Sequence, residues 1–416
     1  MRRRAVVTGL GLLTSVGHDV ETTWQGLLAG KSGIARTAGF DLADMAVTIA
    51  GEVKGFDPAS RIDPKLVRRA DRFTQFALTA ATEAVKDSGL DMDEEDRSRV
   101  GAIVGSGMGG VQTWESQFAQ YLSKGPKRVS PLLIPMMIPD MAAGQISISY
   151  GLRGVNFCTT SACASGAHAV GEAFRHIVHD DADIVIAGGS EAAVTRFTVA
   201  AFTNMGALSK RNDEPERASR PFDRDRDGFV IAEGCGICVI EELEHARARG
   251  ARIYGEVAGY GATGDGHHIT APDPEGLGAV DVMRRALAEA GLAPEDIQYV
   301  NAHGTSTPLN DATEVKAIQR VFGDHARKLA VNSSKSMLGH GLGSAGAMEL
   351  MVTLKSLAEG RIHQTLNFER PDDGVELDFV SEGPRQLDIR AAISNSFGFG
   401  GHNSCLLVRR LEEAAR

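Results

Sequence analysis

Residues 155–170 read VNFCTTSACASGAHAV and place one thiol, that of Cys163, at a turn between a strand-like run and an alanine-rich, helix-like run at 164–177. The residues next to the thiol are all small, so a substrate or a second stretch of backbone can approach the sulfur closely. At a helix N-terminus, unpaired N–H groups and the helix dipole are expected to lower the pKa of a thiol and favour the nucleophilic thiolate. The stretch therefore predicts a nucleophile; the alternative is a buried cysteine that only packs.

The composition is typical of a globular protein that works in aqueous solution. The 416 residues are 43% hydrophobic and 24% charged, and no stretch is apolar for long enough to predict a membrane span. The formal net charge of −10 argues against a general nucleic-acid-binding protein, whose surface is normally basic. Five cysteines without the spacing of a disulfide framework indicate free thiols in a reducing compartment, so we expect a cytoplasmic protein.

Strand-like and helix-like runs alternate along the chain, which predicts an α/β fold with largely parallel sheets. The second half of the chain repeats the alternation of strand-like and helix-like runs seen in the first, without a strict sequence repeat. We therefore expect two similar halves: residues 1–250, which carry the thiol, and residues 251–416, which carry the two histidines described below. Residues 205–234 are polar and rich in helix breakers, which is typical of a long structured loop near a working site. The clearest predicted helices cover 61–90, 164–177, 275–291, 312–322 and 344–358, and the clearest strands 100–104, 182–187, 253–262, 297–300 and 329–331.

Three patterns resemble ligand sites but are better explained by packing. Residues 223–228 copy the start of a calcium loop, yet the closing acid, Glu233, comes one residue early and arginines alternate with the acids. Cys235 and Cys238 form a single C-x-x-C in an apolar, strand-like run without a second pair, which indicates buried strand cysteines. The glycine-rich turn at 105–110 lacks the Gly-Lys-Ser/Thr of a phosphate-binding loop, so it favours close backbone packing.

Two of the twelve histidines have the setting of catalytic residues. His303 and His340 each follow a predicted strand and lie in a loop of glycine, serine and threonine, at the strand end where α/β folds place their sites. Lys335 precedes His340 by five residues in the same loop. A thiol, two imidazoles and an ammonium group together indicate acyl-thioester chemistry, in which the sulfur takes an acyl group and N–H donors stabilise charge on carbonyl oxygens.

Six motifs, in order and spread over nearly the full length, resemble those of the elongating β-ketoacyl-acyl carrier protein synthases of the thiolase superfamily. The motifs read VVTGLGLLTSVG, TTSACASGAHAV, RPFDRDRDGFVIAEG, NAHGTSTPLND, NSSKSMLGH and NSFGFGGHN. The resemblance implies a five-layered αβαβα fold of two pseudo-repeated halves, usually a homodimer. It also implies acyl carrier protein as the partner that delivers acyl and malonyl thioesters, with two carbons added to a fatty acid in each cycle.

The same resemblance assigns roles to residues. Cys163 would accept the acyl chain, and His303 and His340 would hydrogen-bond the malonyl thioester carbonyl while carbon dioxide leaves. The backbone N–H groups of Cys163 and Phe399 would form the oxyanion hole for the tetrahedral adduct. Lys335 would orient the site. The positions that match substrate-contacting residues of the family are Met108, Thr305, Thr307, Phe399 (as a gate) and Glu349, which would also stand behind Lys335.

Two surface or structural sites are also implied. No cofactor is required, but a structural monovalent cation is expected in some relatives at the positions of Asn301, Glu349, Ser394 and Asn395. The expected docking surface for the acidic carrier consists of the basic residues Lys65, Arg68, Arg69, Lys124, Lys127 and Arg128.

The sequence departs from the family pattern at two positions, and four other protein classes have their own requirements. Gly341 stands where a bulkier residue is expected, and His402 stands where threonine is commoner. A degradative thiolase would need a second cysteine as base, and the late Cys405 lies in a strand-like run. A non-catalytic chain-length partner normally lacks the nucleophile, and a Cys-His hydrolase needs one histidine and an acid. A type II polyketide ketosynthase has the same triad and stays open.

Overall fold

The computed structural model describes residues 3–40 and 44–411. Its strands form one large sheet and two small two-stranded sheets. Within the described ranges, the strands are Ala5–Leu13 (β1), Ala35–Arg36 (β2), Ile49–Ala50 (β3), Val100–Gly105 (β4), Asn156–Phe157 (β5), Ile184–Glu191 (β6), Gly234–Glu242 (β7), Gly255–Gly264 (β8), Tyr299–Asn301 (β9), Ala330–Asn332 (β10), Arg361–Ile362 (β11), Arg385–Gln386 (β12), Ala391–Gly398 (β13) and His402–Arg409 (β14).

Several α-helices end at a glycine that adopts a left-handed conformation as the C-cap residue. These glycines are Gly89, Gly151, Gly291 and Gly360. The α-helices in the same described ranges are Val20–Leu28 (α1), Pro64–Val67 (α2), Arg72–Ser88 (α3), Val111–Lys124 (α4), Leu133–Met137 (α5), Met141–Tyr150 (α6), Ser165–Val178 (α7), Arg196–Asn204 (α8), Leu243–Ala248 (α9), Leu277–Ala290 (α10), Pro308–Phe322 (α11), Lys335–Leu338 (α12) and Ala345–Glu359 (α13).

The large sheet consists of two five-stranded halves with the same topology. The strand order is β5-β4-β6-β7-β1 in the first half and β10-β9-β13-β14-β8 in the second. When the five strands of each half are numbered along the chain, both halves have the spatial order 3-2-4-5-1. Pairing of β1 with β8 joins the two halves edge to edge. The predicted fold of two similar halves is confirmed. The predicted division at 250/251 falls between α9 and β8 and stays a prediction.

The expectation of largely parallel sheets is wrong. Four of the strand pairs in the large sheet are parallel and five are antiparallel. The clearest reason is the connection between β13 and β14, which is only residues 399–401 long and can join only antiparallel neighbours. Gly400 and Gly401 in this turn have φ angles of 84° and 72°, which favour glycine.

Five layers follow from the way the helices cover the sheets. Helices α7 and α13 pack against each other between the two halves of the sheet, α3 and α6 cover the outer face of the first half, and α10 and α11 lie on the second. Almost every residue of α13 is buried, as expected of a helix enclosed on all sides. A Cβ on Gly166 of α7 would lie 2.9 Å from Cβ of Ala347, so glycine permits the close contact of the two central helices.

Two local predictions need correction or refinement. The single helix predicted over 61–90 is divided, because α2 ends at Val67 and a new helix, α3, begins after Asp71, which caps it by accepting from the N–H of Phe73. Cys235 and Cys238 lie in the fully buried strand β7, as predicted. Because they are three residues apart on a strand, they point to opposite faces and join different core clusters.

The described part of the chain contains no helix that combines the length and the apolar character needed to cross a membrane. Residues 205–233 form the loop predicted over 205–234, with one short 3-10 helix at Pro215–Arg217, and Gly234 already begins β7. Its calcium-like acids face different partners: Asp223 accepts from Nε of Arg220, and Asp227 accepts from Oγ of Ser209.

Candidate active site

The thiol and one imidazole are presented by the same turn in the two halves of the fold. A 3-10 turn, Ala162–Ala164, leads into α7 and carries Cys163, and the turn Leu342–Ser344 leads into α13 just after His340. Ala162 and Leu342 both have a φ of 50°, an uncommon left-handed conformation for residues with side chains. The two turns contact each other, so the halves meet at this site.

Cys163, His303 and His340 form one buried cluster. Nε2 of His340 lies 3.0 Å from Sγ of Cys163. One potential ligand atom from each of the three residues lies within 4.8 Å of the others. Cys163 is 8% exposed and each histidine 2%, so the groups interact with little screening by water.

The hydrogen bonds of the two rings determine their tautomers. The N–H of Leu342 donates to Nδ1 of His340 at 3.3 Å, and Nζ of Lys335 donates to Nδ1 of His303, also at 3.3 Å. Burial, followed by the nearby charge of Lys335, holds the pKa of both imidazoles well below its usual value, so both rings are neutral near pH 7. With Nδ1 acting as an acceptor, the proton of each neutral ring resides on Nε2. The site therefore presents two Nε2–H donors.

Lys335 is held by groups that surround its ammonium. Nζ donates to the backbone carbonyl of His303 at 2.6 Å and forms an ion pair with Glu349. Both side chains are 2% exposed. Burial raises the pKa of the Glu349 carboxyl to about 7, and the attraction of Lys335 opposes that rise. Lys335 thus fixes the ring of His303 and connects it to Glu349.

Cys163, His303 and His340 have the spacing of a metal site, but the tautomers of the two histidines do not suit metal binding. A histidine that binds a metal through Nε2 usually donates its Nδ1–H to an acceptor. Here Nδ1 of His340 and Nδ1 of His303 each face a donor instead, and the ammonium of Lys335 adds positive charge. The cluster is therefore arranged to bind an oxygen that carries partial negative charge.

The structure contradicts the expected low pKa of Cys163. Burial raises the pKa of the thiol to about 11, although the charge of Lys335 and the backbone N–H groups of Phe399 and Cys163 act to lower it. The sulfur lies at a helix N-terminus as predicted, but removal of water outweighs the favourable N–H groups. Cys163 is a neutral thiol at pH 7, and the two N–H groups assigned to an oxyanion hole face its sulfur.

A cleft of about 460 Å³ opens onto the cluster. Thr305 and Thr307 line it, with their hydroxyl oxygens 2.9 Å apart, and Asp311 accepts from the backbone N–H of Thr305. Met108 and Phe399 also lie in its wall. All the predicted substrate-contacting residues except Glu349, which lies behind Lys335, are thus brought to one cleft.

The remaining predicted residues lie elsewhere. The buried oxygens Oδ1 of Asn301, Oε2 of Glu349 and Oδ1 of Asn395 have no hydrogen-bond donor. Ser394 pairs with Asn301 across β13 and β9, and Nδ2 of Asn301 donates to the backbone carbonyl of Glu349, so these three residues are neighbours. Asn395 points to the other face of β13, where its Nδ2 donates to Glu314, so the structure brings together only three of the four predicted residues. The basic residues expected to dock the carrier are all exposed and none lines the cleft: Lys65, Arg68, Arg69, Lys124, Lys127 and Arg128.

Two buried carboxylates that were not predicted from the sequence support the site. Glu314 accepts from the backbone N–H groups of His303 and Gly304, both at 2.8 Å, and Glu191 accepts from the glycine-rich turn at 106–108. Glu314 follows Asp311 by three residues on α11, so two acids on one helical face after the NAHGTSTPLND motif were a usable signal. Nothing near Glu191 in the sequence indicates its partners.

The fold and the site define an acyl-transferring condensing enzyme. The family described as "Beta-ketoacyl synthase, N-terminal domain" matches residues 2–246, and "Beta-ketoacyl synthase, C-terminal domain" matches residues 254–369. The chain belongs to the β-ketoacyl synthase family.

Curated relatives are similar over nearly the whole chain. One is the 3-oxoacyl-[acyl-carrier-protein] synthase 2 of Staphylococcus aureus (strain COL), at 49% identity over 410 residues, which cover 99% of both chains. Another is the enzyme of the same name from Coxiella burnetii (strain RSA 493 / Nine Mile phase I), at 48% identity with 99% of both chains covered. A solved ketosynthase in "AntDE:AntF (apo): type II PKS acyl-carrier protein in complex with its ketosynthase bound to the hexaketide" has a TM-score of 0.92 and 32% identity, and covers 99% of this chain and 100% of that one.

The high pKa of Cys163 predicts how its reactivity depends on pH. Because only the thiolate reacts, the rate of alkylation by iodoacetamide should rise about tenfold per pH unit from pH 7 to pH 10. The measurement is the labelling rate of Cys163, followed by peptide mass spectrometry at each pH. A rate that levels off below pH 8 would contradict the buried neutral thiol and support the thiolate expected from the helix N-terminus.

The space beside Gly341 predicts an effect of pairwise substitution. A Cβ at Gly341 would lie 2.5 Å from Cε of Met348 and 2.6 Å from Oγ of Ser344, so Met348 fills the volume of the bulkier residue expected there. Gly341→Leu should lower the free energy of unfolding by about 1–3 kcal/mol, and adding Met348→Val should recover about 1 kcal/mol. Denaturant unfolding of the two single variants and the double variant measures this coupling. Strictly additive effects would show that the two positions do not share this space.

His402, the other departure from the family pattern, is exposed at the start of β14 and is not among the residues that line the cleft. It lies beside Gly400, where an added Cβ would be 3.0 Å from Nε2 of His402. The substitution of histidine for the commoner threonine therefore changes the surface of the turn and leaves the walls of the cleft as they are.

Proposed function

We propose that the protein is a 3-oxoacyl-[acyl-carrier-protein] synthase that extends a fatty acyl chain on Cys163 by two carbons. The observation that carries this proposal is the pair of neutral Nε2–H donors beside a buried thiol, since this arrangement stabilises an enolate rather than activating water. The relatives named 3-oxoacyl-[acyl-carrier-protein] synthase 2 support it. The presence of Cys163 argues against a non-catalytic partner subunit.

In the first half-reaction, the acyl group moves from the carrier to the enzyme. The sulfur of Cys163 attacks the thioester carbonyl, and the backbone N–H groups of Cys163 and Phe399 stabilise the tetrahedral oxyanion. The C–S bond to the carrier then breaks. The proton of the Cys163 thiol is transferred to the departing carrier sulfur. The carrier thioester and the Cys163 thiol are thus converted into a Cys163 thioester and a carrier thiol, and no external base is consumed.

In the second half-reaction, malonyl-carrier occupies the cleft. His303 and His340 donate their Nε2–H groups to its thioester oxygen, the bond to the carboxylate breaks, and carbon dioxide leaves with the electron pair retained in the enolate. The enolate carbon attacks the acyl carbonyl on Cys163. The C–S bond to Cys163 breaks, its sulfur takes a proton from solvent, and 3-oxoacyl-carrier is released.

The acidic acyl carrier protein is the proposed partner for both half-reactions. The six exposed basic residues expected to dock it lie in two clusters, around α2 and at the end of α4, on a protein whose net charge is negative. The AntDE:AntF structure is described as a carrier protein in complex with its ketosynthase, which supports a carrier as the substrate donor here.

We also propose a homodimer that works in the cytoplasm. Helix α4 has only Val111 buried and exposes a row of large apolar side chains that a partner subunit would cover: Trp114, Phe118, Tyr121 and Leu122. Ile148 of α6 is also exposed, and β5 is an edge strand of the large sheet. All five cysteines are free, as suits a reducing compartment.

A structural monovalent cation fits three of the four residues that the family resemblance indicates. The unpartnered oxygens of Asn301 and Glu349 are ligands of the hard type that such an ion prefers, and Ser394 adds a hydroxyl beside Asn301. The side chain of Asn395 faces Glu314 on the other side of β13. A bound cation would neutralise part of the charge of Glu349 and hold β9 against β13. No step of the reaction passes through it.

Polyketide synthesis is the second candidate, favoured by the similarity to the AntDE:AntF ketosynthase, which is bound to a hexaketide. Both candidates use the same triad. They differ in whether the 3-oxoacyl product leaves after one condensation or returns for several. The number of malonyl units in the product made by the protein alone distinguishes them.

The catalytic assignment predicts a separation of the two half-reactions. After incubation with acyl-carrier, intact mass should show one acyl group on the wild type and none on Cys163→Ala. His303→Ala and His340→Ala should still be acylated but should form 3-oxoacyl-carrier about 100-fold more slowly, because each loses one donor to the enolate oxygen. Cys158→Ala, which changes a half-buried cysteine five residues away, is the control. Acyl mass on Cys163→Ala, or wild-type condensation by either histidine variant, would contradict the mechanism.

The docking proposal predicts an effect that appears only with the protein-bound substrate. Lys65→Glu should raise KM for acyl-carrier by about tenfold at low salt and leave turnover of a small acyl-pantetheine thioester unchanged. The effect should shrink in 0.5 M salt as charges are screened. Lys328→Glu reverses an equally exposed lysine in the second half of the fold and serves as the matched control. An equal loss with both substrates would place Lys65 outside the docking surface.

A further inference from the structure

Glu191 is a buried carboxylate that the mechanism above does not use. It ends β6 and is 0% exposed. No lysine, arginine or histidine in the described ranges forms an ion pair with it. Four donors surround it instead, which is the environment of a carboxylate that holds backbone in place.

Oε1 of Glu191 contacts only the turn at 106–108, whereas Oε2 contacts both this turn and Gly343. Oε1 accepts from Oγ of Ser106 at 2.9 Å and from the N–H of Met108 at 3.2 Å. Oε2 accepts from the N–H of Gly107 at 2.7 Å and from the N–H of Gly343 at 3.1 Å. One side chain thus joins the turn of the first half that carries Met108 to the turn of the second half that follows His340.

The contact with Gly343 reaches the catalytic imidazole through one residue. Leu342, with its left-handed φ of 50°, donates its N–H to Nδ1 of His340. That hydrogen bond keeps the proton of the ring on Nε2. A Cβ on Gly343 would lie 2.6 Å from Oε2 of Glu191 and 2.3 Å from the N of Gly107, so the turn is clamped at this point.

The other contact reaches the wall of the cleft that faces the acyl chain. Gly107 and Met108 line the cleft together with Cys163 and Leu342. Met108 is 39% exposed and lines the cleft, and its backbone N–H donates to Glu191. A displacement of the Met108 backbone by a long chain on Cys163 would therefore be transmitted to Glu191.

We propose that Glu191 is a positioning residue that couples the acyl-pocket wall at Met108 to the hydrogen bond between Leu342 and His340, so that an acyl chain on Cys163 prepares the site for malonyl decarboxylation. The inference rests on the proposed condensing activity and adds a residue that links its two half-reactions. Before acylation the N–H of Leu342 holds Nδ1 of His340 at 3.3 Å, and the coupling shortens this hydrogen bond once an acyl chain is in place, which limits decarboxylation of malonyl-carrier that binds first.

Two substitutions separate the two contacts. In Glu191→Gln, the amide oxygen can still accept from the N–H groups of Gly107 and Gly343. The NH2 group takes the place of Oε1 and can donate to Oγ of Ser106, but it cannot accept from the N–H of Met108. This variant loses the contact with the backbone of Met108 and keeps those with Gly107 and Gly343, so the Met108 contact is removed while the link to His340 remains. In Glu191→Ala, all four acceptor contacts are lost and both links are broken.

The test measures the two half-reactions separately, as acyl mass on Cys163 and as carbon dioxide released from malonyl-carrier. In the wild type, decarboxylation should be faster after acylation, and more so with a long acyl chain than with acetyl. Glu191→Gln should keep acyl transfer and basal decarboxylation within about threefold and lose the stimulation by the acyl chain. Glu191→Ala should also lose at least about tenfold in decarboxylation, with acyl transfer within about threefold.

Glu233→Gln is the control, because Glu233 is an equally buried carboxylate that pairs with Arg72 away from the cleft. It should preserve the stimulation. Stimulation that persists in both Glu191 variants, or an equal loss in both half-reactions, would overturn the coupling. A wild type that decarboxylates malonyl-carrier without any response to acylation would also overturn it, whereas a wild type that neither accepts acyl groups nor decarboxylates would overturn the proposed function itself.

Discussion

The contact between α7 and α13 is the constraint on which the rest of the structure depends. These two helices fill the space between the two halves of the sheet, and glycine at 166 allows them to approach until their backbones nearly touch. Each helix begins at the turn that brings a reacting group to the centre: Cys163 at one, His340 just before the other. The distance between thiol and imidazole is therefore a consequence of helix packing, and a rigid core converts that packing into a fixed geometry.

Burial then decides the chemistry of the groups that packing has assembled. Removal of water raises the pKa of the thiol and lowers that of both imidazoles, so all three are neutral at pH 7. Neutral rings whose Nδ1 atoms are occupied can act only as N–H donors. The charge that remains, on Lys335 and Glu349, is paired and lies behind the rings, where it orients His303 without contacting the cleft. Preorganised donors in a dry site are the arrangement that stabilises an enolate best.

Much of this arrangement could be predicted from the sequence. Cys163, His303 and His340 each stand in a loop of small residues after a predicted strand, and strand ends are where an α/β fold gathers its site. The pKa of Cys163 could not be predicted, because it depends on water excluded by residues distant in the chain. Glu191 was missed for the same reason: its partner Gly343 is 152 residues away. The directions of the strands were also wrong, although the three-residue connection at 399–401 already required one antiparallel pair.

The repeated topology has a consequence for how many acyl groups one chain can hold. If the two turns with positive φ are superposed, Ala162 on Leu342, the position that corresponds to Cys163 in the second half is Gly343. That residue has no room for a side chain, because a Cβ there would meet Gly107 and Glu191. A cysteine at position 343 would push the two turns apart and would disrupt the site around Cys163. The pseudo-twofold fold is therefore functionally asymmetric, with a stoichiometry of one covalent intermediate per chain.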